Sequence, residues 1–292
     1  MNTVVVTLSD EAYFSKARRT IIDIRSRGEW TGEIVLICVE FNPPRNFIDF
    51  YKVTPFCVKH IDTSALLEKY KEYKECQKKL TRDNREFSKL TQWDKFYVFD
   101  EYFKKWNKVI YFDAGLRVLD KVKYLLDLDC PTGAFMAPDD GGSLTNTEFR
   151  FGNIIDTDIN LEASTLLMQE YSQSTQSTQS ILNSRYFLNC IWVYDTTLLM
   201  LERLQKTDKT ESVFEELIRT MNKYPICKCN EMTIMNLLFT FKYKVWKRFP
   251  EYINTDTGKS KKLFGWSEVA EKIESWRGVC FMKYPTTIDF DC

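Results

Sequence analysis

Apolar positions along the chain alternate between short β-branched runs and longer stretches in which they recur three or four residues apart. The first run, Thr3-Val4-Val5-Val6-Thr7-Leu8, closes on Ser9-Asp10, which can cap a following helix. From about Glu11 to Arg27 the residues Tyr13, Ala17, Thr20, Ile21 and Ile24 fall near one face, and Gly28 ends the pattern, so this segment predicts a helix packed on a sheet. Glu33 to Glu40 is a second strand, left through Pro43-Pro44. Strand, helix and strand form a βαβ unit, expected to be parallel and right-handed. Phe56 to Ile61 predicts a third strand. Ala65 to Leu80, dense in Lys, Glu and Tyr, reads either as a solvated helix with charge pairs four apart or as a flap over a ligand site.

The middle of the chain carries the most informative pattern. Lys89 to Lys105 places Leu90, Trp93, Phe96, Tyr97 and Phe103 at helical spacing, and Lys108 to Phe112 is a buried strand that runs directly into Asp113-Ala114-Gly115. A carboxylate at the carboxyl end of such a strand faces the crevice where open α/β sheets bind ligands. Gly133 to Ala137 is another apolar segment followed by acids, Asp139 and Asp140. Beyond it the sequence turns polar, with a Ser-Gln-Thr repeat from Ser172 to Ser180 that predicts an exposed loop. Tyr186 to Tyr194 predicts a strand with Asn189 inside it, Leu198 to Gln205 and Val213 to Asn222 predict helices, and Lys242 to Phe249 alternates basic and aromatic residues like a strand with one solvated face. The order of elements predicts an α/β, Rossmann-like single domain over residues 1–292 with a mostly parallel central sheet, residues 1–140 forming a nucleotide-binding half and 141–292 a second half.

Composition narrows the classes of function. With 292 residues, 44% of them hydrophobic and 15% aromatic, the chain can bury a large core. Lys plus Arg and Asp plus Glu both number 41, which argues against a strongly basic nucleic-acid binder or a polybasic membrane anchor. The nine cysteines are scattered and odd in number, and only Cys227 and Cys229 lie close together, without a second pair to close a zinc site. No secretory leader and no membrane-spanning stretch is visible, so the sequence predicts a soluble, cytoplasmic protein with reduced thiols. His60 is the one histidine and cannot by itself make a metal cluster.

Several of these segments together resemble the glycogenin-like nucleotide-sugar glycosyltransferases, retaining enzymes of the GT-A fold. The residues that carry the resemblance are Lys89-Leu90 with the helix behind them, Val109-Ile110-Tyr111-Phe112-Asp113-Ala114, Val118-Leu119, Ala137-Pro138-Asp139 and the opening Thr7-Leu8-Ser9-Asp10-Glu11-Ala12-Tyr13. The resemblance implies a UDP-sugar donor whose uracil stacks on Tyr13 beside Thr7, and Asp10 can accept the imide proton of such a base. It assigns Lys89, and Lys283 in the closing motif Gly278 to Pro285, to the diphosphate. Asn189, Asp139 and Glu231 fall to the sugar as the catalytic group. Asp113 falls to a metal, Mn²⁺ or Mg²⁺. At three positions the chain departs from the family: Gly115 replaces the second acid of Asp-Xaa-Asp, Cys280 stands near the place of the metal-binding His, and Met232 takes the Gln position after Glu231. A site reduced to Asp113 would hold its ion only with help from the nucleotide.

Each of these residues also has a plainer role open to it. Asp113 could cap the next turn, Tyr13 could pack its helix onto the sheet, and Glu231 could be a first-turn acid facing the helix dipole. The expected function is transfer of a sugar from a nucleotide-sugar to a hydroxyl of a glycan, protein or small molecule, with retention. Two readings stay beside it: a metal-independent transferase of the same fold, and a relative that kept the fold as a binding or scaffold protein.

Overall fold

The computed structural model describes residues 2–66, 68, 90–139, 150–155, 169–170, 178–200, 211–223, 230–266 and 278–283. Lys89, Asp140, most of the Ala65 to Leu80 segment, most of the polar repeat, and Cys227 with Cys229 lie outside them. The chain begins with β1 (Thr3–Ser9), α1 (Phe14–Ser26), β2 (Glu33–Val39), α2 (Arg45–Tyr51) and β3 (Val53–Val58). It then crosses through two 3₁₀ helices, Leu90–Phe99 and Glu101–Lys105, into β4 (Lys108–Phe112). The remaining strands are β5 (Arg117–Val118), β6 (Phe135–Ala137), β7 (Ile191–Asp195), β8 (Trp246–Arg248), β9 (Tyr252–Asn254), β10 (Ser260–Trp266) and β11 (Val279–Lys283).

A seven-stranded sheet in the order β3-β2-β1-β4-β7-β6-β8 forms the centre, and a smaller four-stranded sheet runs β5-β11-β10-β9. Four of the six pairings in the large sheet are parallel, β7 being the reversed strand between β4 and β6. The sheet is covered on both faces, which is why β1, β2 and β4 read as unbroken apolar runs. Val4, Val6, Trp93, Phe96, Phe99, Trp192 and Phe239 belong to one buried layer. Val5, Ile21, Ile24, Ile34, Phe112 and Phe281 belong to the other. The chain leaves β1 towards β2 and β3 on one side and returns to β4 on the other. The carboxyl ends of β1 and β4 therefore flank a topological switch point, where open α/β sheets take their ligands.

Four local expectations change. The third strand is Val53–Val58 rather than Phe56 to Ile61, because its parallel register with β2 runs from Ile34↔Val53 to Val39↔Val58 and the Ile61 amide leaves the ladder to donate to Asp94 Oδ1. The segment from Leu90 is 3₁₀ rather than α-helical. Trp93, Phe96 and Phe99 recur at intervals of three and are all buried, the repeat that a 3₁₀ turn stacks in one row. A new helix starts after Asp100, whose carboxylate accepts from the Tyr102 amide at 2.7 Å. Asn189 lies before β7 and not within a strand from Tyr186, since the Phe187 amide goes to the Asn236 side chain and the Leu188 amide to Pro138 O. Finally, Lys242 closes a π-helical turn, Leu237–Lys242, and only Trp246–Arg248 of the basic-aromatic segment is strand; most of the helix expected over Leu198 to Gln205 lies outside the described residues.

Candidate active site

β4 delivers Asp113 to the switch point, and a tight turn holds it there. The Leu116 amide donates to Asp113 O at 3.0 Å, and Gly115 in the third position has φ of +89°. A type II turn requires that positive φ, so glycine is the residue that fits. α1 grips the same turn: Thr20 Oγ1 accepts from the Gly115 amide at 3.0 Å and donates to Leu116 O at 3.0 Å, and two residues on Arg117 pairs with Asp23 of α1. The Asp113 amide donates to Cys190 O at 2.8 Å, which ties the turn to the approach to β7.

Two lysines converge on the Asp113 carboxylate. Lys95, from the Leu90–Phe99 helix, places Nζ 3.0 Å from Asp113 Oδ1, and Lys283, at the end of β11, places Nζ 3.0 Å from Asp113 Oδ2. The Tyr111 hydroxyl donates to Oδ1 at 2.9 Å. Lys95 also reaches Glu231 Oε1 at 2.9 Å and Asn189 O at 3.5 Å, and Asn189 Nδ2 donates to the same Glu231 oxygen at 2.8 Å. Glu231 opens the short helix Glu231–Asn236, and its entry residue Asn230, at φ +46°, donates to Gln92 on the helix that carries Lys95. The result is one charged cluster, Asp113-Lys95-Glu231 with Lys283 and Asn189, at the carboxyl end of the sheet. The Asp113 side chain is 18% exposed and Glu231 4%, so the aspartate faces outward and the glutamate sits beneath.

The electrostatics follow from that packing. Burial alone would raise the Asp113 pKa, yet Lys283 and Lys95 bring it down to about 2. Burial alone would likewise lower the Lys95 pKa, and Asp113 and Glu231 hold it above the ordinary lysine value instead. The Tyr111 hydroxyl is pushed well up by burial and by Asp113, so it stays a donor. Burial pushes the Cys190 thiol up to about 12, with Lys283 opposing and Asp113 adding to the shift.

The donor set does not fit a divalent cation. Mn²⁺ and Mg²⁺ take hard oxygen ligands directly at about 2.0–2.2 Å, whereas both Asp113 oxygens already accept from ammonium groups. No acid is available at Gly115, and Cys280 lies buried in the core layer of Phe112 and Phe281. Among the described residues no group of three or more His, Cys, Asp or Glu could hold an ion. The surroundings of Asp113 thus suit an ion pair with two lysines better than the metal-ligand role expected of it.

The other expected residues divide. Asp10 ends the switch-point side of β1: its Oδ1 accepts from the Tyr13 amide at 2.8 Å and its Oδ2 from the Thr91 hydroxyl at 2.5 Å, joining the start of α1 to the Lys95 helix. Tyr13 is half-buried at the entry to α1, with Lys16 Nζ 5.0 Å from its ring centroid. Thr7 is fully buried, one strand away from Asp113, and its hydroxyl has no hydrogen-bond partner among the described residues. Asp139 does not join the cluster. It sits past β6, two strands along from β4, held by Arg185 and by Arg248 Nε at 3.1 Å. His60 Nδ1 lies 2.7 Å from Asp94 Oδ2, a structural pairing. Lys95 is the residue that the sequence motifs passed over. Its signal was a lysine enclosed between Trp93 and Phe96-Tyr97, where a solvated charge has no place.

Comparison with known proteins bears on the fold and the family. The chain superposes on an active-site mutant of LgtC with a TM-score of 0.55 at 12% identity, covering 96% of this chain and 86% of that one. The galactosyltransferase LgtC in complex with donor and acceptor sugar analogues gives 0.53 at 12% identity, with the same coverage. The bifunctional glycosyltransferase WbbM gives 0.51 at 15% identity over 85% of this chain, which spans only 39% of that longer one. At these identities the likeness is one of fold. No curated protein sequence matches the chain. The model of glycosyl transferase family 8 matches residues 42–262, about three quarters of the length, and the chain therefore belongs to that family: it is a glycosyltransferase on the GT-A fold.

Proposed function

We propose that this glycosyltransferase takes its sugar from a UDP-sugar and passes it to an acceptor hydroxyl with retention of the anomeric configuration. The observation that carries the reading is the charged cluster at the carboxyl end of β4, set beside the Asp10 and Tyr13 end of β1. Tyr13 offers the base a flat ring and Asp10 an acceptor for the imide proton. Lys283, one of whose three N–H groups is spent on Asp113, offers the others to the diphosphate. Asp113 Oδ2 keeps a lone pair for a ribose or sugar hydroxyl. Glu231, oriented by Asn189 and Lys95, supplies a carboxylate for positive charge developing at the anomeric carbon. The leaving phosphate itself takes the acceptor proton. Asp139, with its arginines, lies farther along the sheet and is placed with the acceptor. Residues 1–140 supply the base and diphosphate contacts apart from Lys283, and residues 141–292 the sugar contacts apart from Asp113.

Among the described residues no helix is long and apolar enough to cross a membrane, and Cys38, Cys190 and Cys280 are buried free thiols. A cytoplasmic location belongs to the same reading. Titration calorimetry with UDP, ADP and GDP, followed by NMR of the product formed from a panel of UDP-sugars, tests it. Selective UDP binding and an axial-to-axial or equatorial-to-equatorial product are expected. Absence of binding to every nucleotide would leave the fold without its proposed donor.

A further inference from the structure

Lys95 spends all three of its N–H groups inside the protein, on Asp113 Oδ1, Glu231 Oε1 and Asn189 O, and its side chain is only 10% exposed. An ammonium so placed cannot reach out to a ligand. What it does is hold two carboxylates from distant parts of the chain at hydrogen-bond distance around one positive centre, the task a bound divalent cation performs where two acids face a donor. We propose that Lys95 is a built-in replacement for that cation, so that this chain binds the donor's diphosphate without metal, with Lys283 as the cation that touches it. This rests on the UDP-sugar reading above.

Three independent features point the same way. A divalent ion entering beside Asp113 would meet two ammonium groups already at 3.0 Å from its oxygens, a like-charge conflict in a mostly buried place. The turn that would carry a second acid is built on Gly115 at φ +89°, a conformation that favours glycine over a residue with a side chain, so no carboxylate is offered there. The thiol of Cys280 is buried in the core layer with Phe112 and Phe281, and the charged groups acting on it are Asp120 and Lys261. Within the described cluster Asp113 and Glu231 are matched in charge by Lys95 and Lys283. Lys283, with one partner among the described residues and 12% exposure, is the member of the set able to turn its remaining N–H groups towards phosphate oxygens.

The test begins with the unaltered protein. UDP is titrated by calorimetry in excess EDTA and again in saturating Mn²⁺, and the electron paramagnetic resonance signal of free Mn²⁺ is followed as protein is added without nucleotide. The expected result is a Kd unchanged within about threefold between the two conditions and a Mn²⁺ signal that the protein does not quench. A Kd at least about tenfold tighter in Mn²⁺, or stoichiometric loss of the Mn²⁺ signal, would overturn the proposal and leave UDP as the donor nucleotide. Failure to bind UDP in either condition would sink both together. Lys95→Ala supplies the converse. With Asp113 and Glu231 left facing each other, UDP binding in EDTA should fall about 100-fold and return in part on adding Mn²⁺. An affinity for UDP in EDTA that survives Lys95→Ala undiminished would also overturn it.

Discussion

Tyr111 and Trp192 stack across neighbouring strands with their ring centroids 3.9 Å apart, and this stack aims the tyrosine hydroxyl at Asp113 Oδ1, 2.9 Å away. The aromatic core of the sheet thus sets the direction of the carboxylate at its edge. Tyr111→Phe keeps the stack and removes the hydrogen bond. It should cost about 1 kcal/mol of stability in urea unfolding and weaken UDP binding several-fold, since Asp113 loses one of its three fixed partners.

Asp113 itself should show in the acid limb of stability. Its pKa falls from an ordinary 3.8 to about 2 in the folded protein. A carboxylate lowered in this way adds stability that is complete above its unfolded value and disappears as pH falls through the folded one. The shift corresponds to roughly 2 kcal/mol. Urea midpoints of the native protein and of Asp113→Asn should therefore differ most above pH of about 4 and converge towards pH of about 2. A difference independent of pH would mean that the two lysines do not hold the charge.

Lys95 has the opposite sign. Its pKa is raised, so its contribution is complete below the ordinary lysine value and is lost only as pH climbs through the higher folded one. Stability should be flat through neutral and mildly alkaline pH. Lys95→Met should remove about 3 kcal/mol there by leaving Glu231 buried without its cation and Asp113 with Lys283 alone, and the loss should shrink in acid as those carboxylates take up protons.

Glu231 and Lys283 should separate chemistry from binding. Glu231→Gln keeps a side-chain carbonyl for Asn189 and Lys95 but removes the charge, and kcat should fall at least about 100-fold with the UDP Kd little changed. Lys283→Ala should do the reverse in its first effect, weakening UDP binding by about tenfold or more. Steady-state kinetics beside calorimetry distinguish the two patterns.

Gly115→Ala asks what the turn needs. A Cβ at this position would meet nothing closer than 3.7 Å, from Lys16, so space is not the obstacle. The positive φ is, and the substitution should cost about 1–2 kcal/mol by thermal unfolding while nucleotide binding persists in the folded fraction.

These relationships were unevenly visible in the chain itself. β1, β2 and β4 were legible because burial on both faces writes an unbroken apolar run, and Asp113 because it ends one. Lys283 stood out through the motif around it. Lys95 did not, because a buried lysine leaves no period in the sequence, and its partner acids lie 18 and 136 residues away, from 95 to 113 and to 231. The Leu90 to Phe99 segment was readable as helical but not as 3₁₀, since three-residue and 3.6-residue repeats differ little over so few turns. Asn189 was found for its type while its strand was misplaced, because its neighbours' amides bond to a side chain and a loop rather than to a ladder. Asp139 was legible as an acid after an apolar segment, but its pairing with Arg185 and Arg248, brought from elsewhere in the chain, was not.

The antiparallel register of β11 on β5, Phe281↔Val118 and Met282↔Arg117, has a consequence for how the protein is made. Lys283 meets a carboxylate 170 positions upstream, so during synthesis Asp113 emerges long before its second ammonium. A nascent chain can assemble β1 to β4 early, yet Asp113 lacks one of its two ammonium partners until β11 docks, and a shift of that strand by one residue would turn the lysine to the other face of its sheet.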